Sequence, residues 1–325
     1  MARVTARDVA QAAGVSQTTV SFVLNDRADQ TISESTRLAV LDAARRLDYV
    51  PSGAARNLRR GRSNVVLCVI PDIPVTEVME VFRRGLSRVL EASGLTCVFL
   101  HTEDGTQLTG LWSHVDPVVV LSFGALGRTD AEHIRRTGVA LIDDLLGTSG
   151  KALTGLDQTQ IGELQVRHLA ARGHTRIGFG TVGDPREAAF CAPRLHGAQQ
   201  ACGSLGLLPP VVFPVEYTRV SGLAAARHWA DHQVTAVAAF NDLVGLTLLA
   251  GARDAGLGVP EDLAVVGVDN LPIAALVSPQ LSTVAIDPLV LATALAGHIV
   301  AAAGMPESPT EPSGSALRLI EREST

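Results

Sequence analysis

The sequence predicts an α/β protein with a small all-helical head, on three observations. Residues 4–50 carry helical periodicity with no strand-like run, whereas from Asn64 short apolar runs alternate with amphipathic helical stretches. Net charge changes sign between the two parts. Residues 1–62 hold ten arginines against six acids, a net +4, and the remainder carries 17 basic and 27 acidic side chains, a net −10. A small basic head on a larger acidic body is the charge layout of a nucleic-acid-binding module joined to one with another task.

In the head, VTARDVAQAAGVSQTTVSFVLN (4–25) reads as two short helices joined by a tight turn. Thr5 suits the first N-cap, with Asp8 as its capping-box partner. Gly14 supplies the stop, because a residue without Cβ takes the left-handed conformation cheaply. Ser16 caps the second helix and puts Gln17, Thr18 and Thr19 in its first turn, where a recognition helix meets base edges. Val9, Ala13, Val20, Val23 and Leu24 are expected to face inward. Ser33 to Leu47 is predicted as a third helix, with Leu38, Leu41, Ala44 and Leu47 along its packed face. The segment PSGAARNLRRGRS (51–63) then crowds Arg56, Arg59, Arg60 and Arg62 around few apolar residues. It is expected to fold as a short helix when phosphates neutralise the arginines.

From Asn64 the buried run Val65–Ile70 predicts a parallel strand, followed by a helix whose stripe includes Val78, Phe82, Leu86 and Leu90 and which stops at Gly94. Strands at Thr96–His101, Val118–Leu121 and Val139–Ile142 follow, with a helix at about Thr129–Thr137. A second series comprises helices at 158–172, 191–205, 221–232 and 241–255 and strands at 175–180, 211–213, 235–240 and 263–268. Two tandem lobes result, each with its own doubly wound parallel sheet. Ligands of such sheets bind beyond the strands' carboxyl ends, so the cleft between lobes is the expected site.

Composition excludes several classes. No apolar run of about 18 residues is free of charges or helix breakers, and the N-terminus lacks an apolar signal region, so a cytoplasmic protein without membrane contact is expected. Cys68, Cys97, Cys191 and Cys202 have no CxxC spacing and read as reduced thiols. His228 and His232 lack a nearby third ligand, so no metal is expected, and no cofactor-binding motif is present. The Walker A, GxSxG, GxGxxG and HExxH patterns are all missing, so an enzyme is not expected. A solute-binding protein would share the two lobes and leave the basic head without a use.

Six stretches together, namely the N-terminal helices, PSGAARNL (51–58), HLAARGHTRIGF (168–179), APRLHG (192–197), FND (240–242) and VVGVDN (265–270), resemble the LacI/GalR family of bacterial transcriptional repressors over nearly the whole chain. The resemblance implies a ligand-responsive DNA-binding regulator. Its helix-turn-helix head would span 1–50, its hinge 51–63, and its periplasmic-binding-protein-like core 64–325. The N-lobe would comprise about 64–157 and 286–304, and the C-lobe about 158–285 and 315–325. It implies a homodimer on a pseudo-palindromic double-stranded operator, with a small polar effector, sugar-like or nucleoside-like, between the lobes. Gln17 and Thr18 would contact bases, Leu58 would wedge into the minor groove, and Thr5, Ser16, Ser21, Phe22, Asn25 and Arg56 would complete the DNA-contacting set. Arg194, Asn241 and Asp269 would hold the effector, joined by Asp143 and, more weakly, Asp72 and Tyr217.

The chain departs from the family pattern in places. Phe22 stands where many members carry a guanine-reading arginine, so no guanine contact is carried over. Asp104 to Val118 is short, with Pro117 in place of a usual glycine, which puts one wall of the cleft in question. Aromatic residues make up 4% of the chain, and a stacking platform for a sugar is not evident. No heptad-bearing tail follows the last strand, Ala316 to Arg322, so a dimer is expected rather than a tetramer.

Overall fold

The computed structural model describes residues 4–24, 32–49, 63–103, 108, 115–124, 126–145, 156–306 and 314–325. The chain divides into two compact units, Met1–Ser63 and Asn64–Thr325.

In the first unit, α1 (Ala6–Ala13), α2 (Gln17–Leu24) and α3 (Glu34–Arg46) pack around Val9, Val20, Val23, Val40 and Ala43. The amide and the hydroxyl of Thr5 both donate to Asp8 Oδ2 at 2.8 Å, which holds the Asp8 carboxyl below its ordinary pKa. Gly14 ends α1 at φ 67°, the left-handed conformation its position calls for. The α3 face differs from the expected one: Leu38 is 58% exposed, and the buried stripe runs through Val40, Ala43 and Ala44 toward the partly buried Leu47. Three-residue spacing slips about 60° per step on a 3.6-residue helix, so Leu38 and Leu47 lie on opposite sides, whereas i, i+3, i+4, i+7 spacing stays on one face.

The second unit holds two sheets. The N-lobe sheet has the order β2-β1-β3-β4, all parallel, from β1 (Val65–Ile70), β2 (Thr96–His101), β3 (Val119–Ser122) and β4 (Ala140–Ile142). Its helices are α4 (Glu77–Ala92) and α5 (Arg128–Arg136). Phe82, Leu86 and Leu90 of α4 are buried, as their spacing requires.

The C-lobe sheet has the order β10-β9-β8-β7-β5-β6. It combines β5 (Ile177–Val182), β6 (Val211–Val215), β7 (Ala236–Ala239), β8 (Ala264–Val268), β9 (Ser282–Ile286) and β10 (Leu317–Ile320). Only β10 runs antiparallel, against β9. Around the sheet pack α6 (Gln158–Ala171), α7 (Ala188–Ser204), α8 (Arg219–Asp231) and α9 (Asp242–Ala255). After β9 the chain returns to the N-lobe, where α10 (Pro288–Ala302) buries Leu291, Leu295 and Ile299 with the α4 residues Leu86 and Leu90.

Helix α7 begins three residues before the expected start, which moves Pro193 from the first turn into the second. A 3₁₀ turn, Pro185–Glu187, leads directly into that helix and extends it backward. No helix among the described residues is long and apolar enough to cross a membrane.

Candidate functional site

Two glycines decide where the central cation of the cleft sits. Helices α6 and α7 cross so closely that a Cβ on Gly162 would overlap the carbonyl oxygen of Arg194, and one on Gly197 would overlap that of Thr159. This approach brings Arg194 to Gln158 at the start of α6. Arg194 Nε donates to Gln158 Oε1 at 2.9 Å, and Nη1 donates to the carbonyl oxygen of Phe240 at 2.7 Å. The guanidinium also lies over the Phe240 ring, 4.9 Å from its centre. Only 5% of Arg194 is exposed. Burial lowers its pKa from the ordinary value, opposed mainly by Asp269, and an arginine so placed stays charged.

Asp269 follows β8 with φ 105°, and Asn270 after it has φ 54°. Two successive non-glycine residues in positive-φ conformations cost roughly 1–3 kcal/mol each, and such strain persists only where the surroundings impose it. Burial pushes the Asp269 carboxyl up to about 6, with Arg194 opposing the rise and Glu187 adding to it.

Asn241 is the N-cap of α9. Its Oδ1 accepts from the Val244 amide at 2.9 Å, which leaves Nδ2 to donate to Tyr217 Oη at 3.0 Å. Tyr217 in turn donates to Glu187 Oε1 at 3.3 Å. Burial raises the Glu187 carboxyl, and it pushes the Tyr217 hydroxyl up to about 12.

These groups form one wall of an open cleft of about 910 Å³, mouth included. Its polar wall, Gln158, Glu187, Arg194, Asn241 and Asp269, comes from the C-lobe. Facing it are Val78, Met79 and Phe82 of α4, with Phe123 after β3 and Leu145 after β4. Phe82 and Phe123 meet edge to face, with ring centres 5.9 Å apart and planes at 88°. Phe190 and Phe240 add two more rings to the lining. An aromatic lining that the sequence reading did not show is therefore present, although Phe82, Phe123 and Phe240 are themselves buried. Low overall aromatic content hid it because four of the eight phenylalanines converge on one cleft.

The six residues expected to hold an effector do not all converge. Arg194, Asn241 and Asp269 line the cleft, and Tyr217 stands behind Asn241, bonded to it. Asp143 is occupied elsewhere: its Oδ1 accepts the amides of Leu126 and Asp144, both at 3.0 Å. Asp72 is exposed and lies 3.5 Å from Arg186 Nη1, an ion pair between the lobes outside the lining. Glu187 and Gln158 were missed by sequence reasoning. Gln158 directly follows the N-cap Asp157, and Glu187 ends a surface-like DPRE stretch, so neither carried a local signal.

In the head, Gln17 and Thr18 are exposed in the first turn of α2, and Ser16 Oγ accepts the Thr19 amide at 3.0 Å, the cap that starts the helix. Thr5 and Ser16 are exposed, and Ser21 and Phe22 are half-buried. Asn25, Arg56, Leu58 and the expected hinge helix lie outside the described residues, as does most of the 104–118 segment.

A helix-turn-helix unit on the same chain as a two-lobed core with a polar, half-buried cleft defines a ligand-responsive DNA-binding regulator. Residues 5–52 match the model of bacterial regulatory proteins of the lacI family, and residues 166–325 match a periplasmic binding protein-like domain. The chain is 30% identical over 298 residues to catabolite control protein A of Priestia megaterium, covering 86% of this chain and 87% of that one. It is 33% identical over 303 residues to the HTH-type transcriptional regulator CelR of Thermobifida fusca, covering 87% and 86%. In fold it matches the lac repressor dimer bound to operator and the anti-inducer ONPF, with TM-score 0.78 and 20% identity over 99% of each chain. The chain belongs to the LacI family of bacterial transcriptional regulators.

Proposed function

We propose that this protein represses transcription by binding a pseudo-palindromic operator as a homodimer, and that a small metabolite in the interlobe cleft controls that binding. The observation that carries the effector reading is the buried Arg194 flanked by Glu187 and Asp269 on a cleft wall. With both acids ionised, the three groups sum to −1, which disfavours an anionic ligand. Asp269 and Glu187 accept hydrogen bonds and Arg194 donates them, a set that suits vicinal hydroxyls. The facing wall of Met79, Phe82 and Phe123 suits an apolar remainder, because a hydroxyl buried there without a partner costs about 1–3 kcal/mol. The effector class is therefore an uncharged or cationic, hydroxyl-bearing compound with one apolar face, such as a glycoside or nucleoside.

Gln17 and Thr18 would read bases from α2, with Thr5, Ser16, Ser21, Phe22 and Asn25 around them, and the hinge at 51–63 would add Arg56 and the Leu58 wedge. Asn241 would join Arg194 and Asp269 on the effector, and Tyr217 would steady Asn241. The positions of Asp143 and Asp72 lend no support to a direct effector contact. The head and the kinship with transcriptional regulators favour a cytoplasmic regulator over a solute-binding protein, and over an enzyme using the cleft.

The test is a thermal-shift screen of sugars, glycosides and nucleosides, followed by operator titration with any hit, the operator coming from selection on randomised duplexes. A hit that changes operator affinity about 5- to 150-fold, the usual range of allosteric coupling, supports the reading. Hits confined to phosphorylated or carboxylated compounds would contradict the ligand class.

A further inference from the structure

Asp269, whose own amide donates to the Val284 carbonyl oxygen at 2.9 Å, opens a turn that is bonded further on to a carboxyl group outside the cleft lining. Asp242, the first residue of α9, is fully buried. Its Oδ2 accepts the Leu271 amide at 2.7 Å and its Oδ1 accepts the Thr283 hydroxyl at 2.6 Å. Thr283 Oγ1, on β9, also accepts the Asn270 amide at 3.3 Å. From the far side, Arg322 Nη2 donates to Asn270 Oδ1 at 2.6 Å. The two positive-φ residues 269 and 270 thus lie at the start of a turn whose next amide is bonded to Asp242.

Space enforces the same arrangement. A Cβ on Gly267 would collide with Asp242 Oδ1, so β8 admits the carboxylate only because position 267 is glycine. Asp242 also sits next to Asn241, so one helix start supplies both a lining amide and the clamp on the turn carrying a lining acid.

We propose that Asp242 is a positioning residue of the effector site: by binding the Leu271 amide directly and the Asn270 amide through Thr283, it holds Asp269 in the conformation that lines the cleft. This rests on the reading that Asp269 contacts the effector. Burial raises the Asp242 carboxyl, and the hydrogen bonds from the Thr283 hydroxyl and the Leu271 amide offset only part of that rise. The cluster is thus a latch on the strained turn, with no ligand atom of its own.

The experiment uses the full chain with Thr283→Val, which keeps the side-chain shape and removes the hydroxyl, Thr283→Ser, which restores it, and Asp242→Ala. Hydrogen exchange of the free protein is followed by mass spectrometry on peptides spanning 268–275, with 177–182 and 236–239 as internal references. Thr283→Val and Asp242→Ala are expected to speed exchange of 268–275 at least ten-fold with the reference strands unchanged, and Thr283→Ser to return it to within two-fold of the parent. Exchange of 268–275 unchanged in Thr283→Val overturns the proposal, as does equal acceleration in the reference strands, which would mean general loosening. Affinity for D-ribose, cellobiose and adenosine, used as probes by calorimetry, separates the two readings. A loosened turn with probe binding unchanged overturns the role of Asp269 as a ligand contact, whereas loosening with binding weakened at least ten-fold supports both.

Discussion

Arg194 donates through Nη1 to the main-chain carbonyl of Phe240 at 2.7 Å while its guanidinium lies 4.9 Å from the centre of the same residue's ring. One residue thus satisfies the cation twice, by an oxygen and by a π-face, just before Asn241 caps α9. The cleft's charged group and its capping amide are therefore mechanically joined.

Arg194→Lys keeps the charge and loses the fork that serves Gln158 and Phe240 together. The effector response is expected to weaken at least ten-fold, while operator affinity of the ligand-free protein changes less than three-fold by fluorescence anisotropy. Simultaneous loss of both would mean that Arg194 acts mainly in folding.

Gly162→Ala places a methyl group against the Arg194 carbonyl oxygen on α7, a backbone atom that cannot rotate away. Such overpacking costs about 1–3 kcal/mol, more where backbone must move. Urea unfolding of the core should lose stability in that range. Gly173→Ala is not a suitable control, because Gly173 has φ 94°; Gly297→Ala, at an exposed position inside α10 with open space for a Cβ, should instead stabilise by about 0.5–1 kcal/mol.

Stability should depend on pH through Asp242, whose carboxyl is pushed by burial from 3.8 up to about 7. A folded pKa above the unfolded one means the folded state binds the extra proton, so its contribution is fully present below about pH 4 and is lost as pH rises through about 7. Asp269, raised to about 6, adds a slope of the same sign. His168 and His174, lowered by burial, oppose it below their ordinary value of 6.5. The difference between parent and Asp242→Asn isolates the first effect. Unfolding free energies at pH 5 and pH 8 should show the parent losing more stability than the variant over that interval. A variant as steep as the parent would show that Asp242 does not titrate there.

Ser16→Ala removes the acceptor of the Thr19 amide and should destabilise the head by about 1 kcal/mol, read as a lower melting temperature of its unfolding transition. Gln17→Ala leaves that cap intact. In selection on randomised duplexes it should relax preference at one symmetric pair of operator positions, at about 1–3 kcal/mol per contact, with the salt dependence of binding unchanged.

Much of this protein was legible in the sequence because it depends on local rules. Gly14 had to end α1, since a left-handed C-terminal residue is cheapest as glycine, and Thr5, Asp8 and Ser16 announced their caps through spacing alone. The alternation of apolar runs with amphipathic helices pointed to two parallel sheets, although sequence reasoning missed β9, and β10 runs antiparallel at the edge of the second. Even the family kinship rested on short stretches in order, and Arg194, Asn241 and Asp269 came with them.

Tertiary structure decided which side chains share a wall. Gln158 reaches Arg194 only because Gly162 and Gly197 let two helices touch backbone to backbone, a distance no periodicity encodes. Asp143 reads in the sequence as a further acid at a strand end, yet its Oδ1 accepts two loop amides while Asp269 lines the cleft. Phe82 and Phe123 are 41 residues apart in sequence and 5.9 Å apart in space. Helical and strand periods specify which face of an element is buried; which faces then meet depends on helix crossings and chain returns, and those are properties of the packed whole.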